Sequence, residues 1–398
     1  MAAGRAVFTW GSGECDQLGI DGLTEAKLPK LLSFPTAVVA ATVSCGGMHT
    51  ALITTTGALY TWGCNDDGAL GREGLESTPG LVTGLPPLRA VSTGDSHTVA
   101  LSADSSSVFA WGTYRDAQGN MKIAERAPAV IGKSQFRHRQ GVTKVVSGAH
   151  HTLVLVGGKV FAWGDSDSGQ IGRIPAVRNR TQSSLTIESM GLRKIKDIFS
   201  GAYHSFALDE RGRVFAWGLN NRGQLGDGKT VTTCRPHEIH TLSELDVLSI
   251  QGGEHHSVAL TKDGRVFAWG KNDDCQLGQG ENNEEEYKEP KHVSGLTDVM
   301  SIAIGSQYNL ALDRNQRLFA WGMGDCYVLG NKQETNLSVP THVQTTANLH
   351  VICVAAGSQH VAIVADPATQ LQPGPVELKR KRSASADRDD PPSKMLAS

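Results

Sequence analysis

Paired cysteines, long apolar runs and an excess of either charge are all missing from this chain of 398 residues. Its seven cysteines (Cys15, Cys45, Cys64, Cys234, Cys275, Cys326, Cys353) contain no CxxC pair, so the spacing of a zinc ribbon is absent. An odd count with no secretory leader fits reduced thiols in the cytosol or nucleus. No apolar run approaches the roughly 18 residues that span a bilayer, and MAAGRAVFTWG enters a strand pattern at once, leaving no room for a leader. The expectation is a soluble intracellular protein without membrane contact. Net charge is −2, from 38 Lys and Arg against 40 Asp and Glu, so nucleic-acid contact would have to come from a local patch or a tail. No GxSxG or HExxH occurs. No metal, cofactor or covalent chemistry is expected, and a small-molecule enzyme has no supporting constellation.

What the chain does have is glycine, 45 residues of it, and a repeat. Residues 201–226 read GAYHSFALDERGRVFAWGLNNRGQLG, which is an apolar run, a glycine turn, a second apolar run and a polar loop. Alternation around such a turn predicts a β-hairpin. All seven tryptophans sit in the same place in this unit: Trp10, Trp62, Trp111, Trp163, Trp217, Trp269 and Trp321, 49 to 54 residues apart and each followed by Gly. A second motif, GxxH, precedes each hairpin and puts His49, His97, His151, His204, His256, Tyr308 and His360 in one slot. Upstream of it lies a β-branched run such as TKVVSG. One repeat is therefore four strands, A to D, with GxxH between A and B, the DGR-type turn between B and C, and the polar loop between C and D.

Seven four-stranded units predict an all-β, seven-bladed β-propeller of antiparallel blades. The chain opens on a C strand, VFTWG, and closes on a B strand, HVAIVAD, so pairing the two ends completes the seventh blade and removes two open edges. The propeller is expected over 1–366. The segment 367–398, rich in Pro, Ser and charge, is expected to be a disordered tail. Its cluster Lys379-Arg380-Lys381-Arg382 has the form of an importin-recognised nuclear-import signal.

Strand direction sorts the loops. The A–B and C–D loops share one rim, called here the upper face, and the B–C turns share the other. The upper face collects Glu14, Asp16, Asp66, Asp67, Asp95, Asp165, Glu254 and Asp325 among its acidic residues. Loops favour Asp for conformational reasons alone, yet a carboxylate ring also suits a basic partner. The slot residues cannot ligate one metal, because a whole blade separates each from the next and Tyr308 stands among them. They are expected to bond backbone of the neighbouring blade. Two repeats depart from the rule: TYRDAQGNMKIAERAPAVIG follows Trp111 and never makes QLG, and the Trp163 repeat carries the long insertion IGRIPAVRNRTQSSLTIESMGLRKIKD.

A repeat carrying GxxHxxAL, DGRVFxWG and GQLG resembles the regulator of chromosome condensation family. The stretches GGMHTALITTTGALYTWGCNDDGALGR, WGTYRDAQG and VFAWGMGDCYVLG resemble the chromatin-bound branch that exchanges nucleotide on the small GTPase Ran. The resemblance implies a nuclear, chromatin-associated, monomeric guanine nucleotide exchange factor serving nucleocytoplasmic transport and mitosis. It implies Ran contacts at Glu14, Asp95, His150, Arg173 and His255. It also implies a wedge at Arg115, Asp116, Ala117, Gln118, Gly119, Asn120 and Met121, and nucleosome contacts at Arg178 and Arg180. Glu14 stands where the family has Asp, and His150 stands where it has an Asp that matters for exchange. Only Arg5 precedes the first blade, so DNA contact is weaker here or shifted to the basic tail. The alternative is a propeller scaffold that binds a partner without exchange activity.

Overall fold

The structure is a computed structural model that describes residues 5–115, 121–173, 185–280 and 284–367. Seven antiparallel four-stranded sheets follow one another, and six use four strands consecutive in the chain. The seventh takes its outer two strands, Glu25–Leu31 and Ala6–Ser12, from the start and its inner two, His360–Pro367 and Leu349–Ala356, from the end. There Ala6 pairs with Ala365 and Gly11 with His360, in unbroken register. The predicted closure by the two ends is present.

Six of the seven B strands are buried along their whole length, because both faces lie against neighbouring blades. That explains why HTVAL and HSFAL read as continuous apolar runs rather than as alternation. The A strands are only half buried, since one side lines the central channel. Apolar clusters form between blades: Trp217 packs with Leu153, Val160 and Ile198 of the two blades it joins. The one α-helix among the described residues, α1 (His240–Ser243), caps the lower edge of a blade.

Two hydrogen bonds recur at five of the seven joints. The slot residue of one blade bonds the side chain that follows the slot in the next: His49 Nε2 to Thr98 Oγ1 at 2.9 Å, His151 to Ser205 at 2.8 Å, His204 to Ser257 at 2.7 Å, His360 to Thr50 at 2.8 Å. These hydroxyls in turn donate to a carbonyl of the polar C–D loop, as Thr50 does to Gln17 O and Ser257 to Gln224 O. The next blade's tryptophan Nε1 donates to the same carbonyl, Trp62 to Gln17 O and Trp269 to Gln224 O. A carbonyl accepts two such bonds with its two lone pairs. The expectation of backbone partners is thus corrected: the six histidines bond side chains, five of them a hydroxyl and His256 the amide oxygen of Asn309 at 2.9 Å.

Tyr308 alone keeps to backbone. Its hydroxyl donates to Gly357 O and His360 O, at 3.0 and 2.8 Å. The reason is across the joint, where the following blade offers Val361 in place of a hydroxyl. An imidazole there would have no partner. Since the other hydroxyls donate onward, each imidazole must donate from Nε2, and its buried Nδ1 is left without a hydrogen-bond partner. That nitrogen faces glycine: a Cβ on Gly94 would lie 2.1 Å from His97 Cε1, and one on Gly148 would lie 2.2 Å from His151 Cε1. The glycine of GxxH is therefore a requirement of close packing. Burial pushes His49 and His256 down to about 4 and His151, His204 and His360 to about 3, and it holds His97 well below its ordinary value.

Candidate functional site

The upper face is built from GxxH loops at its centre and C–D loops at its rim. At the channel mouth, His150 Nε2 lies 3.6 Å from Asp95 Oδ2. Both come from GxxH loops, and Asp95 N donates to Ala149 O, which ties the two loops together. Desolvation raises the Asp95 carboxyl; His150 lowers it in part and Glu254 raises it. Tyr203, in the next GxxH loop, is pushed up to about 12 by burial and by the carboxylates of Asp95, Glu254 and Asp165. Asp95, His150, Tyr203 and Glu254 thus form one electrostatic group at the mouth. Tyr203 was not singled out in the sequence, although it occupies the same position in its loop as His150 and His255 do in theirs.

The other expected contact residues are spread around the ring. Glu14 is exposed on the C–D loop of the Trp10 blade. His255 lies partly buried on the GxxH loop of the Trp269 blade, lowered chiefly by desolvation, with Gln224 Nε2 3.5 Å from its Nδ1. Arg173 is turned inward: Nη2 donates to Thr186 O at 2.7 Å and Nη1 sits 3.4 Å from Glu188 Oε2, with the side chain 12% exposed. In this structure it braces the insertion that follows it.

Nor is the acidic rim wholly free. Asp67 is paired with Arg115, Asp165 is buried and accepts from Gln170 Nε2, and Asp273 and Asp274 flank Lys271. Glu14, Asp66 and Asp325 remain exposed, and Glu254 partly so.

The Trp111 blade breaks its repeat with a purpose visible in the geometry. Its C strand runs on to Arg115, and its D strand, Met121–Ile131, is the longest of the D strands. Met121 pairs with Arg115 and Glu125 with Gly112, so a two-stranded hairpin rises from the upper face. Of the expected wedge residues, Arg115 and Met121 lie on the two strands. Asp116, Ala117, Gln118, Gly119 and Asn120 lie outside the described residues. The missing QLG carbonyl is replaced by Tyr114. Its hydroxyl lies 2.9 Å from Thr152 Oγ1, and its ring stacks on His97 with centroids 4.1 Å apart. Arg178, Arg180 and the cluster Lys379, Arg380, Lys381 and Arg382 also lie outside the described residues. The insertion that carries Arg178 and Arg180 includes, among its described residues, the short D strand Glu188–Ser189.

Fold and face together define a closed seven-bladed propeller whose loops build one carboxylate-bearing, hairpin-crowned surface. Residues 6–363 match the model of the RCC1-like domain. The chain is 35% identical over 382 residues to the human regulator of chromosome condensation, covering 90% of each chain. It is 31% identical over 420 residues to the guanine nucleotide exchange factor SRM1 of Saccharomyces cerevisiae, covering 89% of this chain and 86% of that one. Among solved structures it superposes on yeast Prp20p, a protein characterised for its binding to Gsp1p and histones, with a TM-score of 0.85, 28% identity and 92% of each chain covered. The chain belongs to the RCC1-like propeller family.

Proposed function

We propose that this protein is a guanine nucleotide exchange factor for a Ran-type small GTPase and works while docked on chromatin in the nucleus. The observation that carries the reading is the hairpin of the Trp111 blade, which breaks the repeat only on the upper face, beside the carboxylates of the channel mouth. Exchange needs no covalent step. A factor that binds the nucleotide-free GTPase more tightly than the loaded form lowers the barrier to release, as any transition-state binder does. In this reading the exposed carboxylates hold a basic surface of the GTPase, and the hairpin, whose last described pair is Arg115 with Met121, presses on the nucleotide site.

Release of labelled GDP from Ran tests the function. At micromolar factor, release is expected to accelerate at least a hundredfold, and no acceleration refutes it. His150 favours the second reading, a binding scaffold without exchange. Neutral imidazole accepts one hydrogen bond and cannot bind a guanidinium at two oxygens. Under the exchange reading, His150→Asp raises the rate several-fold; under the scaffold reading it creates activity where there was none.

Chromatin docking is assigned here to the lower face. Exposed Lys133, Arg137, Arg139, Lys159, Arg193 and Lys194 lie on loops and turns of consecutive blades there. Gly157 packs against His138, Ile195 N bonds Gly158 O, and Glu210 N bonds Lys194 O, so these loops abut. Basic residues on one face and carboxylates on the other would let both partners bind at once. The expected contacts Arg178 and Arg180 belong to the insertion that ends beside this patch. The tail cluster Lys379–Arg382 serves nuclear import. Lys133→Glu with Arg137→Glu is expected to weaken nucleosome binding while leaving GDP release unchanged; equal nucleosome affinity refutes the assignment.

A further inference from the structure

The projecting hairpin does not stand on its own blade alone. The C–D loop of the preceding Trp62 blade, Asn65 to Gly71, grips both of its strands. From the first strand, Arg115 Nε donates to Asp67 Oδ2 at 3.1 Å and its Nη2 pairs with Oδ1, a two-point contact. Thr113 Oγ1 donates to Asp67 O at 3.0 Å. From the second strand, Arg126 Nη2 donates to Asp66 O at 2.9 Å. Gly68, at φ +78°, leaves room for Arg126, whose Cα would sit 3.0 Å from a Cβ added there. Asp67 thus accepts from two side chains of the hairpin's first strand, at its carboxylate and at its main-chain carbonyl. The loop that carries it is itself braced, since Asn65 Oδ1 accepts from Leu70 N and Glu76 Oε2 accepts from Asn65 N.

We infer that Asp67 is a positioning residue for nucleotide exchange, clamping the hairpin at a fixed angle to the upper face. A paired hairpin on one blade is free to tilt about its base, because two strands alone make a weakly held unit. A second anchor from the next blade removes that tilt. The two-point guanidinium contact fixes direction as well as distance, which an ammonium would not do. Asp67 side chain is 15% exposed and already satisfied by Arg115, so it acts through the hairpin rather than on a partner. Displacement of a reacting group by about 1 Å costs on the order of a hundredfold in rate. Loosening one of three anchors is accordingly expected to cost about tenfold.

The inference rests on the exchange reading above, and the test separates the two. GDP release from Ran is followed at increasing substrate for the full-length protein and for Asp67→Asn, Arg115→Lys and the double variant. The wild type must first accelerate release; if it does not, the exchange reading fails and the clamp is moot with it. Given an active wild type, Asp67→Asn is expected to lower kcat about tenfold with KM within about twofold, because the anchor matters at the step where nucleotide leaves. Arg115→Lys, which keeps the charge and loses the two-point contact, is expected to lose nearly as much. The double variant is expected to lose no more than the worse single one. Melting temperatures within a few degrees of wild type exclude misfolding, and Arg115→Lys serves should Asp67→Asn fold poorly. Unchanged kcat in a folded variant overturns the inference, as does a loss confined to KM, which would make Asp67 a contact residue instead.

Discussion

The buried histidines make the stability of this ring depend on pH in a calculable way. Six imidazoles, His49, His97, His151, His204, His256 and His360, are held neutral in the folded state, five of them at about 3 to 4 and His97 well below its ordinary value, each set first by desolvation. In the unfolded chain each returns to about 6.5. Between these values the unfolded state binds more protons, so stability present above pH 6.5 is lost as pH falls. The loss at pH 5.5 depends only on the unfolded value, about 1.4 kcal/mol for each ring. Six rings lose roughly 8 kcal/mol between pH 7.5 and 5.5, comparable with the whole 5–15 kcal/mol of a typical domain. Asp95, raised by desolvation, works the other way, but it is one group against six. Urea denaturation at the two pH values measures the difference. His204→Gln, which keeps a donor toward Ser257, is expected to reduce the pH-dependent part by about 1.4 kcal/mol. A wild-type difference below about 2 kcal/mol would refute the claim that the joints require neutral imidazole.

Three further outcomes follow from the joints and loops. Tyr308→His removes the two carbonyl contacts and leaves an imidazole opposite Val361, costing about 1–3 kcal/mol; adding Val361→Thr is expected to recover most of it in the same melts. Tyr114→Phe keeps the stack on His97 but removes one of the two partners of Thr152, at a cost of about 1–2 kcal/mol by urea titration. Gly94→Ala drives a methyl into His97, and a loss well above 1 kcal/mol is expected, whereas a neutral effect would deny that contact.

Much of the architecture was legible because it repeats. Tryptophans 49–54 residues apart set the number of blades, the split of the last blade between the termini set the closure, and strand direction set which loops share a face. The break after Trp111 was visible as a departure, and the structure turned it from a loop into a hairpin with 121–125 as strand. Less legible was the state of each residue within a loop. Asp67 and Asp165 read as free rim carboxylates and proved to be engaged; Arg173 read as a contact residue and proved to be folded back on Glu188. Tyr308 read only as evidence against a shared metal site, and across the joint it faces Val361 where the other blades offer a polar side chain.

The division has one physical cause. Periodicity in the chain records what each residue does along its own strand, up or down, in or out, and that alone determined the seven blades, the ring and the two faces. Whether a charge is spent or available depends on a neighbour from the adjacent blade, about 50 residues away and in a loop with no period. Only the tertiary structure brings Asp67 to Arg115, and His150 to Asp95, so only it could decide which groups on the face remain for a partner.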